Sequence, residues 1–166
     1  MTTTQPRTTD RQDVRWALAT MLVAILTLAA VLIMQHGFGY EPCHLCIWER
    51  WPYLVAGAAL AGSCFVKVPR LGLLVAAIAF AGGSVLAAYH VGIEEGLFEL
   101  PGSCLAGEAP AQSIEQLKQM LENAPARCDQ VTASFFGLSL AAWNLVLSVV
   151  LTLTSLAGAL WAKPSS

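Results

Sequence analysis

The chain has 166 residues, of which 56% are hydrophobic and only 12% charged, with a formal net charge of −2 and a mean hydropathy of +0.61. A soluble domain carries roughly twice that charged fraction, so the composition excludes an ordinary soluble protein and points to an integral membrane one. There is no basic patch to meet nucleic acid, and no internal repeat or low-complexity tract.

Charge-free stretches locate the membrane spans. Residues 16–40, 51–66, 71–93 and 130–162 hold no Asp, Glu, Lys or Arg. Crossing a hydrocarbon core of about 30 Å takes about 20 apolar residues in a helix, which predicts spans near 16–35, 47–66, 71–90 and 140–161. Lipid gives the backbone no hydrogen-bond partner, so helices are the expected solution. The predicted fold is all-α: one membrane domain over 1–166, a four-helix bundle with outer loops near 36–46 and 91–139. The first span is too long for the core of a signal peptide and is followed by no convincing small-x-small site, so it is expected to be retained.

Lys and Arg set the orientation. With both termini on one side, that side carries Arg7, Arg11, Arg15, Lys67, Arg70 and Lys163, against Arg50, Lys118 and Arg127 on the other. The termini and the short Lys67–Arg70 turn are expected to be cytoplasmic, and the two longer loops to face outward.

The first outer loop carries Gly37, Gly39, Pro42 and the pair Cys43 and Cys46, a C-x-x-C. The second span is awkward at its start. Its charge-free run of 16 residues, 51–66, covers only about 24 Å of helix. Spanning therefore recruits 47–50 and draws Glu49 and Arg50 to the interface, while Pro52 fits only a first helical turn. His90 closes the third span at its outer end. The long second loop holds Cys104 and Cys128, 24 residues apart. Between them Ser113 and Gln116 form a capping-box pattern, with Ile114, Leu117, Met120 and Leu121 on one face of a short amphipathic helix suited to a membrane surface or to packing on the loop. Trp48, Trp51, Tyr53, Tyr89 and Trp143 fall near the outer interface, where an aromatic belt explains them.

Both cysteine pairs thus lie on the outer side, which in a bacterium is an oxidising compartment. Thiols of C-x-x-C pairs often have lowered pKa. Cys46 falls at or near the start of the second span, where a helix dipole favours a thiolate, and His44 adds to this when protonated. The competing uses are a static disulfide bracing the loop and a metal site. For metal the Cys104–Cys128 spacing lacks the second close pair of a zinc ribbon, and C-H-L-C is not the C-x-x-C-H of covalent haem; no metal is expected. Arg50, one turn below Cys46, is suited to hydrogen-bond a quinone carbonyl or to snorkel as an ordinary arginine. His90 is suited to the same carrier or to the headgroup region. Cys64, near the inner end of its span and without a partner there, reads as a small buried hydrophobe.

The string E-P-C-H-L-C-I-W-E-R at 41–50 resembles the signature of the DsbB family, bacterial membrane proteins that generate disulfides. The resemblance extends over most of the chain: four spans, a first loop with C-x-x-C, a second with two separated cysteines, and F-F-G-L-S-L-A-A-W-N at 135–144 leading into the last span. It implies an enzyme of the bacterial inner membrane, with its cysteine loops in the periplasm. Such an enzyme reoxidises a soluble DsbA-like, thioredoxin-fold oxidase and passes two electrons to ubiquinone or menaquinone. By position, Cys104 is then attacked by the reduced partner, Cys128 is released and engages Cys43, Cys46 is the thiolate facing the quinone, and Arg50 and His90 belong to the quinone site. Glu49 keeps the motif and receives no role. His44 stands where the family is often apolar, Trp51-Pro52 interrupts an expected smooth helix start, and the loop around Cys104 is short.

Two other readings compete. A vitamin K epoxide reductase-like protein is also a four-helix quinone-linked enzyme, but its C-x-x-C is expected on the last helix, after the loop cysteines. A non-enzymatic membrane scaffold would hold two structural disulfides that stay oxidised.

Overall fold

A computed structural model describes residues 8–104, 113–115, 118 and 126–161. Its elements in chain order are helices α1 (Thr8–Gly37), α2 (His44–Trp48), α3 (Trp51–Phe65) and α4 (Pro69–Glu94), a 3-10 turn at Gly102–Cys104, a two-strand hairpin β1 (Ser134–Phe135) and β2 (Leu138–Ser139), and α5 (Leu140–Trp161). Most of the amphipathic helix expected between Cys104 and Cys128, including Gln116, Leu117, Met120 and Leu121, lies outside the described residues. Ile114, on its expected apolar face, is 84% exposed.

Among the described residues, three helices are long and apolar enough to cross a membrane: Gln12–Gly37 within α1, then α4 and α5. The last, α5, runs over Leu140–Trp161. The predicted second span is where the structure departs. Its residues form two helices instead of one, α2 and α3, and α3 has only 15 residues, about 22 Å at 1.5 Å per residue. Pro52 is the physical reason. It has no N–H to give a preceding turn, and it sits in the first turn of α3, where none is needed. The break is mild. Glu49 and Arg50 both keep right-handed helical dihedrals (φ −64°, ψ −14° and φ −77°, ψ −27°), so the chain turns inward without reversing.

The helices pack chiefly as α4 against α5 and α3, with α1 leaning on α3. Ala17 and Ala24 of α1, Tyr53, Ala56 and Leu60 of α3, Leu73, Ala76 and Phe80 of α4, and Leu151 and Ala159 of α5 form the central core. Small residues let the backbones approach, as membrane packing requires. A Cβ on Gly72 would collide with Ser63 of α3. The outward surfaces are apolar, with Leu22, Leu26, Ile33, Ile78, Val85 and Leu153 all more than half exposed. That pattern suits a lipid surround. Lys67 takes a left-handed conformation (φ 60°) to make the tight turn into Pro69.

At the opposite end the hairpin turns through Phe136 (φ 52°) and Gly137 (φ 80°), the positive-φ pair a two-residue turn needs. Trp143 Nε1 donates to the Phe135 carbonyl at 2.9 Å. Ser139 Oγ accepts from the Ala142 amide at 3.1 Å, capping α5, and donates to the Glu94 carboxylate. These bonds fix the start of α5 beside the end of α4.

Candidate functional site

The end of the helices opposite Lys67 holds a second buried cluster: Cys43, Leu45, Ile93, Cys104 and Cys128, with Cys46, Leu86, Leu100 and Ala126 packed against it. The two cysteine pairs, from separate loops, therefore share one desolvated pocket. Cys104 and Cys128 are joined as a disulfide with their Cα atoms 5.4 Å apart. Cys43 and Cys46 are free thiols, with sulfurs 2.6 Å apart, the approach from which a disulfide closes. Arg127 and Asp129 flank Cys128 as an exposed ion pair at 2.7 Å.

The sequence reading puts a helix start, and with it the thiolate, at Cys46. The observed helix starts at His44 and makes Cys43 its N-cap. The Cys46 backbone amide donates to Cys43 Sγ at 3.2 Å. His90 Nε2 lies 3.5 Å from the same sulfur. Hydrogen bonding from the Cys46 thiol, aided by His90 and opposed by burial, pulls the Cys43 thiol down from 9.0 to about 4. Cys46 moves the other way, raised by the adjacent Cys43 and by burial. In this state Cys43 is the thiolate and Cys46 the thiol.

Behind Cys43 runs a chain of hydrogen bonds that the sequence did not reveal. His90 Nδ1 donates to Glu49 Oε1 at 2.8 Å. Glu49 Oε2 accepts from Asn144 Nδ2 at 2.8 Å. Asn144 Oδ1 accepts from Tyr53 Oη at 2.6 Å, and Tyr53 Oη lies 3.3 Å from Ser148 Oγ. His90 and Glu49 are buried, at 2% and 7% exposure. An unpaired carboxylate there would be very costly, and both of its oxygens are satisfied. α2, α3, α4 and α5 each contribute a residue to the site or border it, so the network ties the thiol pair to the bundle. A glutamate drawn into a span and an asparagine inside another are themselves functional signals in a membrane protein, and Asn144 was readable on that ground.

His90, expected at the quinone, has both ring nitrogens turned to protein partners, Cys43 and Glu49. His44, expected to assist the thiolate, is exposed and its Nε2 accepts from Trp48 Nε1 at 3.2 Å. Arg50 is half-buried and has no side-chain partner among the described residues, beside the exposed Ile47, Trp48 and Trp51. Cys64 packs on the central core, away from the outer cluster.

A family model for the disulfide bond formation protein DsbB matches residues 12–158. The chain belongs to the DsbB family. Among relatives, it is 32% identical over 136 residues to disulfide bond formation protein B of Azoarcus sp., covering 78% of this chain and 81% of the relative. It is 30% identical over 147 residues to the protein of that name from Herminiimonas arsenicoxydans (81% and 87%). An uncharacterized protein of Rickettsia prowazekii is 28% identical over 138 residues (81% and 80%). No solved structure matches the chain. Family and apolar helices together make this a helical membrane protein of disulfide bond formation, and the family carries disulfide oxidoreductase activity.

Proposed function

We propose that the chain is a quinone-dependent disulfide generator of the bacterial inner membrane, with both termini cytoplasmic and the cysteine loops periplasmic. It reoxidises a DsbA-like thioredoxin-fold protein and delivers the electrons to ubiquinone or menaquinone. One observation carries this reading: a reduced C-x-x-C and an oxidised loop disulfide meet in one buried cluster. A scaffold has no use for a C-x-x-C pair set against a loop disulfide in one cluster.

The steps balance as thiol–disulfide exchange. A thiolate of the reduced partner attacks Cys104 Sγ, the Cys104–Cys128 bond breaks, and Cys128 leaves as a thiolate. Cys128 attacks Cys43 of an oxidised Cys43–Cys46 pair, and Cys46 leaves with the electron pair. The partner's second thiol then attacks its own mixed disulfide, which oxidises the partner and frees Cys104. Cys104 attacks Cys128, restoring the loop disulfide and releasing Cys43. The described state is the one that follows: Cys104–Cys128 closed, Cys43 and Cys46 reduced. His90 and the Cys46 amide stabilise the Cys43 thiolate released in that last step, so it is a good leaving group. Glu49 holds the His90 ring with Nε2 toward sulfur, and Asn144 holds Glu49.

The donors present fit a quinone. Arg50 is a half-buried cation with no side-chain partner among the described residues, beside apolar and indole side chains that would seat a ring. A membrane quinone, when bound, supplies an acceptor for two electrons and two protons. Arg50 would orient a carbonyl and bear charge developing on it. Cys46, the less buried residue of the pair, lies four residues from Arg50, and reclosing the Cys43–Cys46 bond releases the electrons and the Cys46 proton.

Quinone reduction by the purified protein, with a reduced DsbA-like donor, tests the proposal. Turnover is expected in wild type, absent in Cys46→Ser, and reduced mainly through a raised KM for quinone in Arg50→Ala. Folded wild type that reduces neither ubiquinone nor menaquinone sinks it.

A further inference from the structure

We propose that the reduced protein carries a redox-gated binding site for a soft divalent cation of the zinc type, made by Cys43 Sγ, Cys46 Sγ and His90 Nε2. These three ligand atoms all lie within 4.8 Å of one another, and they come from two separate elements, the start of α2 and the outer end of α4. Two thiolates and one imidazole are the donors such an ion selects, with a fourth position left for solvent.

The geometry is close to what an ion needs. Zinc–sulfur and zinc–nitrogen bonds of about 2.3 and 2.0–2.1 Å in a tetrahedron put sulfur and nitrogen about 3.5 Å apart and the two sulfurs about 3.8 Å apart. Cys43 Sγ and His90 Nε2 are already at 3.5 Å. The sulfurs, at 2.6 Å, must open, which a rotation of the less buried Cys46 side chain accomplishes. Around this set stands the support that metal-binding histidines usually have. Glu49 accepts from His90 Nδ1, which fixes the tautomer that leaves Nε2 to the ligand, and Asn144 braces Glu49 in turn. The Cys46 amide donates to Cys43 Sγ, a bond that steadies a metal-bound thiolate as well as a free one. Leu45 and Ile93 bury the rear of the pocket.

Binding displaces the Cys46 thiol proton and the proton that His90 Nε2 turns toward Cys43, and no electrons move. The disulfide form has no free thiolate, so the ion is excluded whenever Cys43 and Cys46 are oxidised. An ion holding both sulfurs also prevents them from joining. It therefore acts as a reversible brake on the reduced enzyme and competes with reoxidation. That consequence rests on the proposed catalytic cycle, whereas the binding itself does not.

The test is direct titration with Cd2+ and Zn2+ of full-length protein in a Cys104→Ser/Cys128→Ser background, which removes the loop thiols. Cd2+ is followed by its thiolate charge-transfer absorbance. The expected result is one ion per reduced protein and none per oxidised protein. Glu49→Gln should weaken binding about 10- to 100-fold, and His90→Ala at least as much. The oxidised and reduced forms share one sequence, so their comparison stands even where a His90 variant folds poorly. No absorbance on reduction, equal binding by oxidised protein, or unchanged affinity in folded His90→Ala overturns the site. Metal-free quinone reduction, measured in parallel on wild type, separates failure of the metal site from failure of the enzyme reading.

Discussion

The two cysteine pairs meet in one cluster yet are held by opposite means. Cys43 and Cys46 sit three residues apart on the first turn of α2 and are tied through His90, Glu49 and Asn144 to α4 and α5. Cys104 and Cys128 are 24 residues apart, borne by a single 3-10 turn and a loop, with Cys104 N bonded only to the nearby Pro101 carbonyl. The lesson is a division of labour. On the proposed function, the helices supply the pair whose protonation must be set, and the loop supplies the pair that meets the partner.

The largest effect should come from cutting the loop pair off. Cys104→Ser is expected to abolish oxidation of a DsbA-like partner, while the Cys43–Cys46 thiols still reduce added quinone when first reduced chemically. Partner oxidation that survives in Cys104→Ser would break the division.

Next comes the protonation of Cys43. Its thiol is pulled down to about 4, so the thiolate ultraviolet absorbance of the reduced protein should persist as pH falls and disappear only near pH 4. Cys46→Ala removes the main cause and should move the midpoint upward by at least one unit, about 1.4 kcal/mol. An unmoved midpoint would show that the pair does not set its own charge.

A smaller shift in the same direction is expected for Glu49→Gln, since Glu49 acts through His90. The broken buried bond costs about 1–3 kcal/mol, which should appear as a lower melting temperature in detergent together with the raised midpoint. A melting change without a midpoint change would make Glu49 a brace only. Ser148→Ala, at the far end of the network, removes one 3.3 Å contact to Tyr53 and should cost about 0.6 kcal/mol of stability, with the midpoint unchanged.

Much of this was legible in the chain. Charge-free runs found α1, α4 and α5 because lipid imposes one solution on a long apolar segment. The second span was expected from 47 with Pro52 flagged as fitting a first turn, and the backbone breaks just before it, between Trp48 and Trp51. Cys43, Cys46, Cys104, Cys128, Arg50 and His90 were all named from motif and position. What local sequence does not carry is partnership across helices. Glu49, His90 and Asn144 are 41 to 95 residues apart in pairs, and only packing of α4 on α5 brings them together. The same packing directs His90 to a sulfur, and the early start of α2 gives the thiolate to Cys43.

The central claim is that the two pairs exchange disulfides inside the shared cluster. The most direct measurement is mass spectrometry of the double variant Cys46→Ser/Cys104→Ser after air oxidation, which leaves one thiol of each pair. The account predicts an intramolecular Cys43–Cys128 disulfide in nearly all molecules. Both cysteines remaining free, or pairing only between molecules, would contradict it.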